Sequence, residues 1–285
     1  MSDKIILVAE SGSDINPALA AEYGVYVVPM HVSMGGKTLD DGSFPSEEVC
    51  AYYDSTGKVP QTSASSPADF EQVFDRIHAQ WPEAKILHLA YSAVTTCSFQ
   101  SAQLAAEGRN YVASVDTKHV SVGQGAVVMA VAEWLKAHPE ADIQQAAEAA
   151  RAIAARCQMC FLPKNLDYLR AGGRVSNAAA LVGNLLGLHP CIEIIDGRLL
   201  AKKKYRGALD KISPKALQDF VDKHDLNRDQ LYCIWSTGLT DQSKATVEQN
   251  AMHLGFRKVT WIKAGCVITC HGGPGALGFV GFAKE

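Results

Sequence analysis

Three stretches gather small hydroxyl side chains where strands are expected to end: Glu10-Ser11-Gly12-Ser13-Asp14, Gln61-Thr62-Ser63-Ala64-Ser65-Ser66-Pro67 and Ser92-Ala93-Val94-Thr95-Thr96-Cys97-Ser98. In an open α/β sheet, the C-terminal ends of strands and the helix N-termini after them form the usual ligand crevice. Helix N-termini offer unpaired N–H groups and a positive dipole end, and hydroxyls add donors; together these suit an anion. Ser and Thr at such places also cap helices, so no single stretch is specific. Their convergence is the informative feature.

The anion is not expected to be a nucleotide phosphate, because neither G-x-x-x-x-G-K-[ST] nor a G-x-G-x-x-G after a strand occurs. Gly272-Gly273-Pro274-Gly275 is glycine-rich, but Pro274 removes an N–H, so it reads as a tight turn. His271 before it is a candidate donor to an acid, a candidate base, or a structural histidine. Paired with Glu10 or Asp116 it defines the alternative function, a small-molecule hydrolase or transferase. Against that enzyme stand the absence of a G-x-S-x-G elbow and of any nucleophile with a base at readable spacing. Cys157-Gln158-Met159-Cys160, and later Cys266, Cys270 and His271, hint at zinc spacing. The first pair falls at the end of a helical pattern without a Gly-rich knuckle, so buried thiols and no metal are expected.

Arg198, Lys202, Lys203, Lys204 and Arg206 cluster on and after a predicted hairpin. Such runs ordinarily protect a strand edge; a docking patch for an acidic partner is the other reading. Arg174, on a Gly-Gly turn between two predicted helices, caps nothing obvious.

Positioning these groups requires alternating strands and helices. Strands are predicted over Lys4–Glu10, Val25–Val32, Lys85–Tyr91 and Tyr111–Asp116. Helices are predicted over Pro17–Tyr23, Ser46–Ser55, Pro67–Trp81, Ser98–Glu107, Val122–Lys136 and Ile143–Arg156, with Phe70, Val73, Phe74 and Ile77 on one stripe. This alternation predicts a mostly parallel sheet covered on both faces.

The second half changes character. Helices over Pro163–Arg170 and 178–186 flank a turn in which Gly172 suits the C′ position, and Ser176 or Asn177 the next cap. Asp196-Gly197 between apolar runs is a strong hairpin signal. A helix over Pro214–Lys223, a strand over Leu231–Trp235, a helix over Gln242–Leu254, and strands near Lys258–Ile262 and Val267–Thr269 complete it. The reading is an α/β chain with an N-terminal, mostly parallel sheet domain over residues 1–160. A C-terminal α+β domain with an antiparallel sheet follows over 161–285. No internal repeat is visible.

At 285 residues the chain has room for roughly two domains. Its 47% hydrophobic content belongs to an ordinary globular protein. The 27 Lys and Arg against 30 Asp and Glu leave −3, so no basic field exists to hold nucleic acid. The short apolar run Ile5–Ala9 is followed by Glu10, which argues against a signal peptide. The lack of 18 consecutive apolar residues argues against stable membrane insertion. Eight cysteines without a leader are expected to be reduced thiols in the cytoplasm.

Taken in order, these segments resemble the DegV family of bacterial proteins, the fatty-acid-binding subunits of fatty acid kinase. The resemblance runs nearly end to end. It includes Leu7–Asp14, the Thr62-Ser63 loop, Ser92–Ala102 and Leu169-Arg170-Ala171-Gly172-Gly173-Arg174-Val175-Ser176. It extends to Asp196-Gly197 with the basic run and to His271-Gly272-Gly273-Pro274-Gly275-Ala276-Leu277-Gly278. It implies a long-chain fatty acid whose tail fills an apolar tunnel and whose carboxylate lies near an interdomain crevice. The carboxylate would be held by Thr62, Ser63, Ser92, Thr96, Cys97, Ser98 and His271. It further implies a carrier without catalysis of its own and without a cofactor, presenting that carboxylate to a separate kinase that makes an acyl phosphate. Arg174, Lys202, Lys203, Lys204 and Arg206 are the candidate contacts with the kinase or its phosphates. Three departures stand out. Cys97 replaces the glycine of a Ser-Gly-Thr motif, Ala93 a second Ser, and Ala9-Glu10-Ser11-Gly12 the usual Thr-Asp-Ser-Thr.

Overall fold

The computed structural model describes residues 4–176 and 187–284. Two units emerge, one comprising the chain up to Phe44 with Thr62–Ala155, the other Pro45–Gln61 with the chain from Arg156 onward.

The strands of the first unit are β1 (Ile5–Glu10), β2 (Val25–Val28), β3 (His31–Met34), β4 (Lys37–Asp40), β5 (Gln61–Ser63), β6 (Lys85–Ala90) and β7 (Val112–Asp116). β1 is almost wholly apolar and buried along its length, as a strand covered on both faces must be. It pairs in parallel with β2 and β6, and β6 in parallel with β7, giving the order β2-β1-β6-β7. The helices are α1 (Pro17–Tyr23), α2 (Glu47–Thr56, counted with the second unit), α3 (Pro67–Gln80), α4 (Ser98–Ala105), α5 (Ser121–Ala137) and α6 (Ile143–Arg156). α1 starts where Asn16 accepts the N–H of Leu19, and α3 starts on a capping box between Ser66 and Asp69. The predicted stripe Phe70, Val73, Phe74 and Ile77 packs with Ile6, Val8 and Ile86. α5 is apolar around most of its girth and buried from Ser121 through Met129, which makes it an internal helix. Gly125 allows that depth: a Cβ there would come within 2.5 Å of the Ser13 carbonyl.

The run Val25–Val32 is not one strand. Pro29, which has no N–H to give a ladder, separates β2 from β3. β3 turns into β4 through Gly35-Gly36, both at positive φ, in a small sheet ordered β4-β3-β5.

The second unit adds β8 (Cys157–Leu162), α7 (Leu166–Gly172), β9 (Leu188–Ile195), β10 (Arg198–Arg206), α8 (Leu209–His224), β11 (Gln230–Trp235), α9 (Asp241–His253), β12 (Lys258–Lys263), α10 (Cys266–Gly272) and β13 (Leu277–Phe282). Its sheet runs β10-β9-β8-β13-β11-β12, antiparallel except for the β11–β12 pair. Asp196 and Gly197, both at positive φ, close the predicted hairpin. The helix expected at 178–186, and its candidate cap Asn177, lie outside the described residues. The strand expected near Val267–Thr269 is instead part of helix α10, because Thr269 N–H bonds back to the Gly265 carbonyl and Gly273 N–H to Thr269. Cys157 and Cys160 directly follow the end of α6, and they lie on β8, a strand the sequence pattern did not indicate.

Candidate functional site

β1 delivers Glu10 to the C-terminal edge of the parallel sheet, fully buried. Its Oε2 accepts from Tyr91 N–H at 3.0 Å and from Gln124 Nε2 at 2.7 Å. Its Oε1 accepts from Ser98 Oγ at 2.8 Å and lies 3.4 Å from His88 Nε2. His88 sits edge-on to Phe70, with Nδ1 3.2 Å from Ser114 Oγ. Burial raises the Glu10 pKa, but His88, the Ser98 hydroxyl and the Tyr91 N–H outweigh it and leave the carboxyl below its ordinary value. Glu10 is an ionised, saturated acceptor.

The loop between β6 and α4 carries the candidate hydroxyls. Ser92 is buried; its N–H reaches the His119 carbonyl at 2.9 Å, and its carbonyl accepts both N–H and Oγ1 of Thr95. Asp116 Oδ1 accepts from the N–H groups of Ala93, at 3.3 Å, and Lys118, at 2.9 Å. Thr96 is half-buried, and its Oγ1 accepts the Ser98 N–H at 3.4 Å, over the first turn of α4. Cys97 is exposed, while Ser98 is buried against Glu10. Thr96 and Cys97 thus stand at the surface of the loop, and Ser92 and Ser98 build it.

The other two hydroxyl stretches divide in the same way. Ser11 Oγ accepts the Met30 N–H at 2.9 Å, and Asp14 accepts from Ser121 Oγ at 2.5 Å, so Glu10–Asp14 is used internally. On β5, Thr62 is half-buried and Ser63 exposed. Beyond them Ser65 Oγ bonds the Pro29 carbonyl and Ser66 caps α3. Asp69 of that cap also holds His31 Nε2 at 3.0 Å, and Asp40 holds Nδ1 at 2.9 Å.

In the second unit His271 lies in the last turn of α10 with its Nδ1 buried against α7. Burial, then the Arg174 charge, pushes its pKa down to about 4, so the ring is neutral near pH 7. Gly172 is the last residue of α7, and Gly173, at φ 63°, takes the left-handed C′ position expected for Gly172. Arg174 does cap a helix: its Nη1 donates to the Gly172 carbonyl at 2.7 Å. Ser236 fixes the glycine-rich turn by donating to the Gly273 carbonyl at 2.6 Å and accepting the Ala276 N–H at 2.8 Å.

The basic run does not form one patch. β10 is an edge strand with a bulge between Ala201 and Lys203, which puts the extra residue Lys202 beside Lys203 in the lining of one cavity. Lys203 and Tyr205 reach Asp219 on α8, so alternation turns Lys204 and Arg206 to the opposite face. The cavity, about 460 Å³, is lined also by Cys160, Cys191 and the Glu193–Lys223 ion pair, and by neither Thr62 nor Thr96.

Among the described residues, no group of three or more His, Cys, Asp or Glu side chains is placed to hold a metal ion. All eight cysteines are free thiols. No helix among those residues is long and apolar enough to cross a membrane.

The sequence profile of the DegV family, described as "Uncharacterised protein, DegV family", matches residues 4–284. The chain belongs to the DegV family. A DegV domain-containing protein of Deinococcus radiodurans is 31% identical over 280 residues, covering 96% of each chain. A DegV family protein from Thermus thermophilus, whose structure was solved for its fatty acid binding, superposes with a TM-score of 0.88 at 27% identity, over 99% of this chain and all of the other. A DegV lipid-binding protein from Thermotoga maritima gives 0.81 at 26% identity, over 99% of both chains.

Proposed function

We propose that this DegV protein is a fatty-acid carrier that buries one long acyl chain and presents its carboxylate to a separate kinase for acyl-phosphate formation. The observation that carries this reading is the likeness, over 99% of the chain, to the fatty-acid-binding DegV protein of Thermus thermophilus. The half-buried hydroxyls of Thr62 and Thr96 supply donors for the carboxylate, and the sheet edge around Glu10 supplies a rigid base for one of them. Burying about 15 methylenes at about 0.8 kcal/mol each gives on the order of 12 kcal/mol gross. Lost rigid-body and chain freedom offsets much of it, leaving tight but reversible capture. The tail drives binding and the hydroxyls set its direction.

The enzyme reading loses support at its proposed acids. Glu10 is saturated by three donors and His88, and Asp116 accepts two backbone N–H groups. Native mass spectrometry after mild purification tests the carrier: the expected result is protein with fatty acid already bound. Consistently empty protein that turns over a small-molecule ester would overturn it. For the kinase step, charge reversal at Arg174 is expected to lower acyl-phosphate formation with the acid still bound; unchanged formation removes Arg174 from that role.

A further inference from the structure

We propose that Glu10 is a positioning residue whose single carboxylate ties together both ends of the loop that carries Thr95, Thr96 and Cys97. Oε2 holds Tyr91 N–H where β6 ends, and Oε1 holds the Ser98 hydroxyl where α4 begins, so six intervening residues are closed into a loop of fixed span. Gln124, from the buried helix α5, and His88, from the neighbouring strand, orient the same two oxygens. Asp116 adds a further tie at Ala93. The loop needs such ties, because its middle faces solvent: Val94 is 51% exposed, and Cys97 is exposed as well.

Charge-assisted hydrogen bonds are shorter and stronger than neutral ones, and a carboxylate accepts at both oxygens. A carboxamide of the same shape loses the charge and one acceptor oxygen; its NH2 can meet the Ser98 hydroxyl only as a donor, so both ends of the loop are held by weaker, neutral bonds at best. Glu10 itself, with no exposed surface, is out of reach of a ligand. Its effect on binding therefore runs through the position of Thr96. That consequence rests on the fatty-acid reading; the tie itself does not.

The test separates the two. Hydrogen–deuterium exchange is followed in wild type, Glu10→Gln and Ser98→Ala, with palmitate affinity measured on wild type and Glu10→Gln. Expected are exchange in residues 92–97 faster by about tenfold or more in both variants, with β1 and β6 still protected. Palmitate affinity is expected about tenfold weaker in Glu10→Gln. Exchange unchanged in the loop, or raised equally throughout the sheet, overturns the tie. Wild-type affinity in Glu10→Gln despite a loosened loop overturns its role in binding. Should wild type bind no palmitate, the carrier reading fails while the exchange still decides the tie. Should Glu10→Gln not fold, Ser98→Ala, which removes one tie only, decides it.

Discussion

A Cβ built on Gly172 would run into Nδ1 of His271, so the last residue of α7 and the last turn of α10 fit only while position 172 is glycine. Gly172→Ala is expected to destabilise by about 1–3 kcal/mol, the usual cost of overpacking. Truncating the ring in Gly172→Ala/His271→Ala should recover part of that. Urea denaturation of the two single variants and the double variant checks it; strict additivity would show that the two positions do not meet.

Three histidines should give stability–pH profiles of opposite sign. For His31, burial lowers the pKa, but hydrogen bonds to Asp69 and Asp40 prevail and raise it. Its contribution is full below the unfolded value of about 6.5 and fades as pH rises through the folded value. For His119 and His271, burial brings the pKa down to about 4. Both therefore withdraw stability as pH falls from about 6.5 toward 4, where the unfolded chain takes up protons that the folded state refuses. Denaturation across that range should show His31→Ala most destabilising at the acid end. His271→Gln should flatten the acid loss; a wild-type slope in that variant would contradict the assignment.

Within the basic run, Lys203 and Lys204 should behave differently although they are neighbours. Asp219 is held down to about 2: burial raises its pKa, but Lys203, Lys215 and Tyr205 outweigh that. Lys203→Glu sets a second carboxylate beside it and should cost about 1 kcal/mol, while Lys204→Glu should stay within about 0.5 kcal/mol. Thermal melts at low ionic strength give the comparison. The gap should shrink in high salt.

If Thr62 and Thr96 donate to a carboxylate, Thr62→Ala and Thr96→Ala should each weaken palmitate binding by about tenfold, matching about 1.4 kcal/mol for a charge-assisted bond. The methyl ester of palmitate should discriminate little between wild type and either variant. Titration by fluorescent-probe displacement reads both numbers.

Much of the fold was legible because periodicity and caps agreed. The bounds of α1 follow from Asn16 and Pro17, and the Asp196-Gly197 hairpin follows from its turn chemistry. What escaped had local signals pointing elsewhere. Val267–Thr269 is β-branched yet helical, since packing of α10 on α7 overrides propensity. β13 has no predicted counterpart, because it carries Gly278 and Gly281, which weaken a strand pattern; a Cβ at Gly278 would come within 3.0 Å of the Cys160 carbonyl on β8, so the glycine serves close strand approach. At the site, the loop hydroxyls were legible as a class. Their division into loop-building Ser92 and Ser98 and outward Thr96 and Cys97 was not, because it depends on Glu10, 88 positions away from Ser98 in sequence.

The bulge at Lys202 sets how the edge of the second sheet meets other molecules. Val175 bridges Leu199 in parallel and Ser176 N–H bonds its carbonyl, so one end of β10 is already occupied. The other end is kinked, and its cations point two ways. A rigid acidic surface pressed on either side would therefore displace only part of the counterion cloud of this strand. Its association should weaken with added salt more gently than the count of lysines and arginines in the run suggests.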